Sequence, residues 1–460
     1  MTSMTNKKPT VPSSLFDNRS PASDQEYAAV PKSRLSRMGR LGILASRVAG
    51  GMVTEGVKQL AQGNRPRTSD LLLTPANAKR VAEQLAQLRG AAMKVGQLMS
   101  MDAGDLLPPE LADLLARLRA EAKAMPISQL NHVLEQEWEL DWQDRFQRFS
   151  FYPIAAASIG QVHKATTLAG DEVALKIQYP GIKESIDSDV DNVATLLKIS
   201  GLIPKDVDYQ PLLTDAKQQL HDEADYRLEA SLLQQYKTLL SDDHRYRIPA
   251  VYDALTTEHI LAMEFVEGEP VEHLHTQPQA VRNHVMALAF ELLFKEMFAF
   301  RLVQTDPNFA NFLYDIEQRQ LVLLDFGATR QYPEHIATGY QALISHAMHD
   351  HDTGMQDALK QIGFFSQPIT ARQHQAVVDL CKEACEPVIY DGVFDFGQTD
   401  LARRIRDAGT ALSTRENYWH TPPADAIFFH RKLGGLYLLA ARLKAQVNVR
   451  ALFLPYYQSV

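Results

Sequence analysis

From Thr74 onward apolar residues return every three or four positions, at Val81, Leu85, Leu88, Ala92, Val95 and Met99, the spacing of one helix face. Pro75 suits the first turn of that helix. Pro108 and Pro109 open a second helix with Leu111, Leu114, Leu115 and Leu118 on one side, and a third follows Ser128 as far as Trp138. Residues 74–140 therefore read as a helical unit. After Phe149 the period drops to two, and strands are predicted over 151–157, 161–167 and 172–178, with a turn at Ala169-Gly170-Asp171. In the third strand Val173, Leu175 and Ile177 alternate with Ala174, Lys176 and Gln178, so one face is apolar and the other carries a lysine. Helices are expected near 183–200 and 210–240, strands near 247–254 and 259–265, and helix through most of 280–300. A short strand, turn and strand surround Asn311 and Asp325. Residues 334–460 look mainly helical, apart from loops near 387–398 and 420–425.

Composition adds boundaries to this pattern. The 460 residues are 45% apolar and 22% charged, close to the globular average, which excludes a collagenous or wholly disordered chain. A net charge of −9 disfavours a general nucleic-acid binder, because phosphate neutralisation needs a cationic field. Residues 1–30 are rich in Ser, Thr, Asn, Pro and Ala without hydrophobic periodicity and read as a disordered tail, neither signal peptide nor transit peptide. Residues 31–54 differ: Lys32, Arg34, Arg37, Arg40 and Arg47 stand among Leu41, Ile43, Leu44, Val48, Met52 and Val53 with no acidic residue. That segment either docks on an anionic membrane surface or forms a basic linker packed on the next domain. Arg47 interrupts the apolar run, and a bilayer span needs about 20 such residues, so no transmembrane helix is predicted. The only cysteines, Cys381 and Cys385, rule out a disulfide framework, and as a pair on one helix face they read as packed apolar residues rather than half a metal site.

The chemistry lies in an ordered set: Lys176 in Val173-Ala174-Leu175-Lys176, Glu229 on a helix, Asp306 with Asn311 five residues later, and Asp325-Phe326-Gly327. This is protein-kinase grammar. Phosphoryl transfer needs anionic oxygens and their metal ions held still. A strand lysine neutralises phosphate and a helix glutamate clamps the lysine. Asp325, leaving the apolar run Leu321-Val322-Leu323-Leu324, suits a carboxylate delivered to Mg²⁺, and Asn311 supplies a neutral oxygen. Asp306 would orient or deprotonate the attacking hydroxyl or water.

The chain also departs from ordinary protein kinases. Where a Gly-x-Gly-x-x-Gly loop would cover the phosphates it has Ala155-Ala156-Ala157-Ser158-Ile159-Gly160-Gln161, and alanine forbids the close backbone approach that glycine allows. Val303-Gln304-Thr305 precedes Asp306 in place of a His-Arg pair, no Ala-Pro-Glu follows Asp325, and Pro333-Glu334 begins the next helix almost at once. There is little room for a peptide-docking platform. Outside this grammar, Lys94 and Gln97 share a helix face around Gly96, which costs roughly 1 kcal/mol against alanine and asks for a close-packing reason. The carboxylates of Glu223 and Asp225 could pair with Lys94; the plainer reading of both features is a polar helix face.

At these residues the chain resembles the UbiB protein-kinase-like family, also called the AarF-domain family. The resemblance rests on Lys94-x-Gly-Gln97, the alanine-rich loop 155–158, Lys176, Glu223-x-Asp225, Glu229, Asp306-x-x-x-x-Asn311 and Asp325-Phe326-Gly327, over roughly residues 31–445. Thr305-Asp306-Pro307-Asn308-Phe309-Ala310-Asn311-Phe312 looks like the coenzyme Q branch of that family, whereas many bacterial relatives carry Asp-Pro-His-Pro-Gly-Asn. It implies an α+β, protein-kinase-like two-lobed fold, mainly helical, with an added N-terminal helical domain. The implied division is a tail at 1–30, a helical domain at 31–145, an N-lobe with helical insertion at 146–266 and a C-lobe at 267–460. ATP and Mg²⁺ are the implied cofactors. Lys176, Glu229 and Asp306 are the expected catalytic residues, and Asn311 and Asp325 the metal ligands. Ala155, Ala156, Ala157, Ser158, Ala174, Lys176, Glu264 and Val266 are expected around the nucleotide. Lys94, Gln97, Glu223 and Asp225 would occlude the cleft against a protein substrate. Members support ubiquinone biosynthesis at membranes, with ATPase activity better supported than protein phosphorylation. This implies a cytoplasmic chain peripheral to the inner membrane, with ubiquinone-biosynthesis enzymes and anionic lipid as partners.

His346, His349 and His351 with Asp350 and Asp352 invite a metal site, but His351 falls off the shared helix face, so a solvated helix end is expected. No P-loop and no His-Glu-x-x-His occurs. Two functions stay open: an ATP-hydrolysing or small-molecule-phosphorylating enzyme, and a nucleotide-binding scaffold. Retention of Lys176, Asp306, Asn311 and Asp325 together favours the enzyme.

Overall fold

The structure is a computed structural model that describes residues 125–459 apart from 158, 201–209, 307, 366–367 and 415–421. The expectations for the tail, the basic segment 31–54, the helices between 74 and 118, Lys94, Gln97 and Ser158 lie outside those residues.

Chain order begins with α1 (Ile127–Trp138), β1 (Phe146–Phe149), β2 (Ala155–Ala156), β3 (Gly160–Thr167) and β4 (Glu172–Gln178). Three helices follow, α2 (Ile186–Ser200), α3 (Gln210–Glu223) and α4 (Tyr226–Leu239), then β5 (Tyr246–Arg247) and β6 (Ile260–Glu264). The first sheet runs β1-β3-β4-β6, antiparallel throughout, with β2 paired to β3. The β3–β4 turn closes with Gly170 at φ +95°, a conformation that suits glycine. Gly160 has a different reason: a Cβ there would sit 2.3 Å from the Ile177 carbonyl oxygen, so only glycine lets β3 start against β4.

Val173, Leu175 and Ile177 face the first core together with Trp138, Trp142 and Phe149, as their alternation predicts. The opposite face of β4 is not solvated. Lys176 and Gln178 are buried there too, and Gln178 Nε2 donates to the Ala224 carbonyl oxygen at 2.8 Å, tying the sheet to the start of α4. The helix expected over 210–240 is two helices, because Asp225 has an extended backbone and its Oδ1 accepts from the Arg227 and Leu228 amides, capping α4. The strand expected near 247–254 shrinks to Tyr246–Arg247 and an isolated bridge at Val251.

His163, on β3, is buried in this lobe. Its Nδ1 lies 2.7 Å from the Ser150 carbonyl oxygen and its Nε2 2.7 Å from Gln161 Nε2, while Gln161 Oε1 accepts from the Met125 amide at 3.0 Å. Gln161 can only donate from Nε2, so the ring is neutral with its proton on Nδ1. Burial pushes the imidazole down to about 4, against the raising effect of the Ser150 bond. The folded value lies below the ordinary 6.5, so unfolded chains take up a proton that the fold refuses as pH falls. Stability is therefore full above 6.5 and declines toward 4. Urea unfolding at pH 7 and pH 5 should differ by about 2 kcal/mol from this residue, and His163→Gln should remove that part of the pH dependence.

The second part of the chain comprises β7 (Glu269–Pro270), α5 (Gln279–Phe294), β8 (Leu302–Gln304), β9 (Phe312–Asp315), β10 (Gln320–Leu323) and β11 (Thr329–Gln331). Then come α6 (Glu334–Ala347), α7 (Asp352–Ile362), α8 (Ala371–Ala384), α9 (Glu386–Ile389), β12 (Phe394–Asp395), α10 (Leu401–Thr414), α11 (Ala424–Arg442), β13 (Gln446–Val447) and α12 (Val449–Phe453). A β5-β10-β9-β7 sheet and the β11-β8 pair line its inner edge, and the helices enclose a second core around Phe290, Leu293, Leu359 and Phe453. α4 spans both cores: Tyr226 and Ala230 pack in the first, Leu233 and Tyr236 in the second. Cys385 is buried and Cys381 partly so, and burial pushes both thiols up, consistent with packed side chains. Among the described residues no helix is long and apolar enough to cross a membrane.

Candidate active site

The site lies where β4, α4 and the β9–β10 hairpin meet. Lys176 is opposite Val162 on β3 and Leu261 on β6, so its stem is enclosed by strands on both sides. Its Nζ donates to Glu229 Oε1 at 2.8 Å and Oε2 at 3.0 Å, and to Asp325 Oδ2 at 3.1 Å. Burial by itself would lower the ammonium; the carboxylates of Asp325 and Glu229 outweigh it and hold Lys176 well above its ordinary range. Burial likewise pushes Glu229 up, to about 7, against the lowering pull of Lys176. The Phe326 amide donates to Glu229 Oε1 at 3.3 Å, so the glutamate also fixes the Asp-Phe-Gly turn.

Asp325 leaves β10 with its side chain about one-fifth exposed, the most accessible member of the cluster. Its Oδ1 accepts from the Gly327 amide at 3.0 Å and its Oδ2 also accepts from Asn311 Nδ2 at 3.1 Å. Asn311 is placed by two backbone bonds, its amide to the Asn308 oxygen at 3.2 Å and the Leu324 amide to its own oxygen at 3.1 Å. Asp325 and Asn311 together offer one carboxylate and one neutral amide oxygen. That donor set fits Mg²⁺, which is held by one or two carboxylates with phosphate and water completing the shell.

Asp306 follows β8, which the Thr305 amide and hydroxyl extend by donating to the Ala328 oxygen at 2.9 and 2.7 Å. Its Oδ1 accepts from the Asn308 amide at 3.2 Å. Between Gly327 and Pro333 the chain forms β11 against β8 and then enters α6, so no long activation segment intervenes.

Of the remaining expected residues, Ala155 and Ala156 form the exposed β2, paired with Val162 and Gln161, and Ala157 follows half-buried. Ala174 lies on the Lys176 face of β4, packed in the second core. Glu264 ends β6 with its carboxylate bound to Arg247 at 2.7 Å and to the Ala250 amide at 3.1 Å, and Val266 is buried just beyond. Glu223 is buried, accepts from Gln219 Nε2 at 3.1 Å, and stands against Gly327, where a Cβ would approach its Cγ to 3.3 Å. Asp225 serves as the α4 cap. Among the described residues no cluster of three or more His, Cys, Asp or Glu could hold a metal, and His346 instead meets His351, Nδ1 to Nδ1, at 3.1 Å.

Three further residues belong to the site. Arg431 on α11 is 1% exposed at its side chain and brings Nη2 to 3.8 Å from Asp306 Oδ1, while its Nε and Nη1 have no hydrogen-bond partner among the described residues. It stands where no residue next to Asp306 in sequence supplies a cation. Tyr226 is fully buried with its ring 5.4 Å from Lys176 Nζ. Tyr236 packs its ring 4.6 Å from that of Phe326. The signal for the first was present: Arg431-Lys432 are adjacent cations inside the apolar run of α11.

A strand lysine clamped by a helix glutamate and facing an Asp-Phe-Gly aspartate defines a protein-kinase-like fold, here α+β and mainly helical. The family model described as the ABC1 atypical kinase-like domain matches residues 117–359. The chain is 36% identical to "Atypical kinase COQ8, mitochondrial" of Saccharomyces cerevisiae, covering 93% of this chain and 85% of that protein. It is 39% identical to "Atypical kinase COQ8B, mitochondrial" of Rattus norvegicus over 92% of this chain and 80% of that one. Among solved structures, the Rv3197–erythromycin complex from Mycobacterium tuberculosis matches with a TM-score of 0.57 at 24% identity, covering 82% and 94% of the two chains. That last likeness concerns the fold. The chain belongs to the ABC1 atypical kinase-like family, the group that its motifs resemble.

Proposed function

We propose that the chain is an atypical kinase-like ATPase that binds Mg²⁺-ATP between its two cores and supports ubiquinone (coenzyme Q) biosynthesis at a membrane, transferring phosphate to water or to a small or lipid-like acceptor. The observation that carries this reading is the single network joining Lys176, Glu229, Asp325 and Asn311. A scaffold that only had to fold would be served as well by apolar packing, since breaking even with a buried ion pair is hard.

In this reading Lys176 neutralises phosphate, held in place by Glu229, and Asp325 and Asn311 hold Mg²⁺. The metal would supply charge neutralisation on the phosphate oxygens. Asp306 accepts the proton of the attacking hydroxyl or water at its carboxylate, and Arg431, 3.8 Å away, orients that carboxylate. Glu264 has its carboxylate committed to Arg247 and the Ala250 amide, so it and Val266 would line the nucleotide rather than bind it through that carboxylate. The alanine hairpin β2 covers the phosphates at a greater distance than a glycine loop would. Among the described residues the short β11 leaves little room for a peptide platform after Asp325, which favours water or a small acceptor. The relatives' names support the kinase class, and the motif resemblance supports the ubiquinone pathway. Residues 31–54 are the proposed contact with anionic lipid and Lys94 and Gln97 the proposed cover of the cleft.

Metabolite profiling of a deletion strain tests the pathway. Ubiquinone should be lost, and restored by the unmutated chain but not by Asp325→Ala at equal protein level. Restoration by Asp325→Ala would separate the pathway from phosphate chemistry.

A further inference from the structure

Glu296 is a fully buried carboxylate that the site described above does not use. It sits in the π-helical turn Lys295–Phe300 that ends α5, a widened turn of the kind that recurs at functional sites. One oxygen, Oε2, pairs with the ammonium of Lys432, itself buried in the middle of α11. The other, Oε1, accepts from the Tyr236 hydroxyl at 2.9 Å and from the Gln304 amide at 3.3 Å. The same hydroxyl lies 2.9 Å from the Leu302 carbonyl oxygen. A single carboxylate thus joins α4, which carries Glu229, to β8, which leads to Asp306, and to α11, which carries Arg431.

Tyr236 is seven residues beyond Glu229, about two helical turns on the same side of α4. The first turns of α4 are held by Lys176 and by the Phe326 amide. Its last turns are held in the second core by the Tyr236 ring on Phe326 and by the hydroxyl on Glu296. Ring packing alone leaves a helix free to slide along an apolar surface, whereas a hydrogen bond to a fixed carboxylate sets its height and rotation. Burial pushes the Glu296 carboxyl up and the Lys432 ammonium down, so an apolar pair of similar volume would serve the core at least as well. The polar arrangement is accounted for by position rather than by stability.

We propose that Tyr236 is a positioning residue: its hydroxyl, through Glu296, tethers α4 to the second core and so holds Glu229 at Lys176. This rests on the proposed ATPase reading for its kinetic consequence and on geometry alone for its structural one. Tyr236→Phe keeps the ring and removes one oxygen. In the full chain, hydrogen exchange at the amides of 226–239 should quicken by about tenfold while α5 and α11 keep their protection. ATP turnover should fall by about tenfold to a hundredfold. In a Glu229→Gln background the same substitution should change the remaining turnover by less than about twofold, because its route to the site is already cut.

Unchanged exchange in α4 overturns the tether whatever the enzyme does. Equal loss of protection across α4, α5 and α11, or global unfolding, overturns it in favour of a general core role. A full-sized drop in turnover in the Glu229→Gln background overturns the route through Glu229. If the unmutated chain shows no ATP turnover, the ATPase reading fails and the exchange result still decides the tether.

Discussion

Asp306→Asn is expected to abolish ATP turnover, by about 10²–10⁴-fold, while Mg²⁺-ATP binding stays within about threefold of the unmutated chain. The substitution is isosteric. The amide oxygen still accepts from the Asn308 amide, the contact that fixes Asp306 at 3.2 Å, so the loop after β8 keeps its course. What disappears is the charge facing Arg431 Nη2 at 3.8 Å and the basicity needed to take a proton. Neither belongs to the Lys176–Glu229–Asp325–Asn311 network in which nucleotide is proposed to bind. Steady-state ATPase assays and titration calorimetry on one preparation check both halves. Undiminished turnover would place the base elsewhere, and equal loss of binding would show that the carboxylate holds nucleotide.

Lys176→Met should have the larger effect on the protein as a whole. Methionine nearly fills the lysine stem but removes the ammonium from between Glu229, 1% exposed, and Asp325. Turnover should fall by about 10²–10³-fold, the scale of losing one preorganised cation or donor at a developing charge. Stability should drop as well, by up to about 3–5 kcal/mol, because two carboxylates remain in a buried space. The loss is pH-dependent with a definite sign. Burial already lifts the Glu229 carboxyl to about 7, and without the ammonium it rises further. A carboxyl whose folded value lies above its unfolded one binds more protons in the fold, so folding is favoured as pH falls through that window. The stability deficit of Lys176→Met should therefore shrink between pH 8 and pH 6, as urea unfolding at the two values would show. A deficit that is constant or grows on acidification would mean that Glu229 does not take up the proton.

Much of this site was legible because its residues act through local grammar. An alternating strand put Lys176 on the face opposite Val173, Leu175 and Ile177, and the apolar run 321–324 placed Asp325 at a strand exit; both expectations agree with β4 and β10. The depth of Lys176 was not legible, since the polar face of an alternating strand reads as solvated until another element covers it. Here α4 covers it. The division of 210–240 into two helices was hidden for a related reason: Asp225 interrupts no periodicity, and only its extended backbone and cap bonds show the break. Arg431 is brought to the site from α11 and Glu296 to Tyr236 and Lys432 from the end of α5, and contacts at such separation leave no mark on local pattern. Adjacent buried cations in an apolar helix were the available clue, because charges enter a core only when something there pairs with them.

Titration calorimetry of the full chain with ATP, with and without Mg²⁺, and again with a folded Asp325→Asn variant, tests the central claim most directly. The account predicts saturable binding of one nucleotide per chain that requires Mg²⁺ and is lost, or weakened by about a hundredfold, in the variant. Absence of binding by the unmutated chain, or binding of equal strength in chelator and in Asp325→Asn, would contradict it.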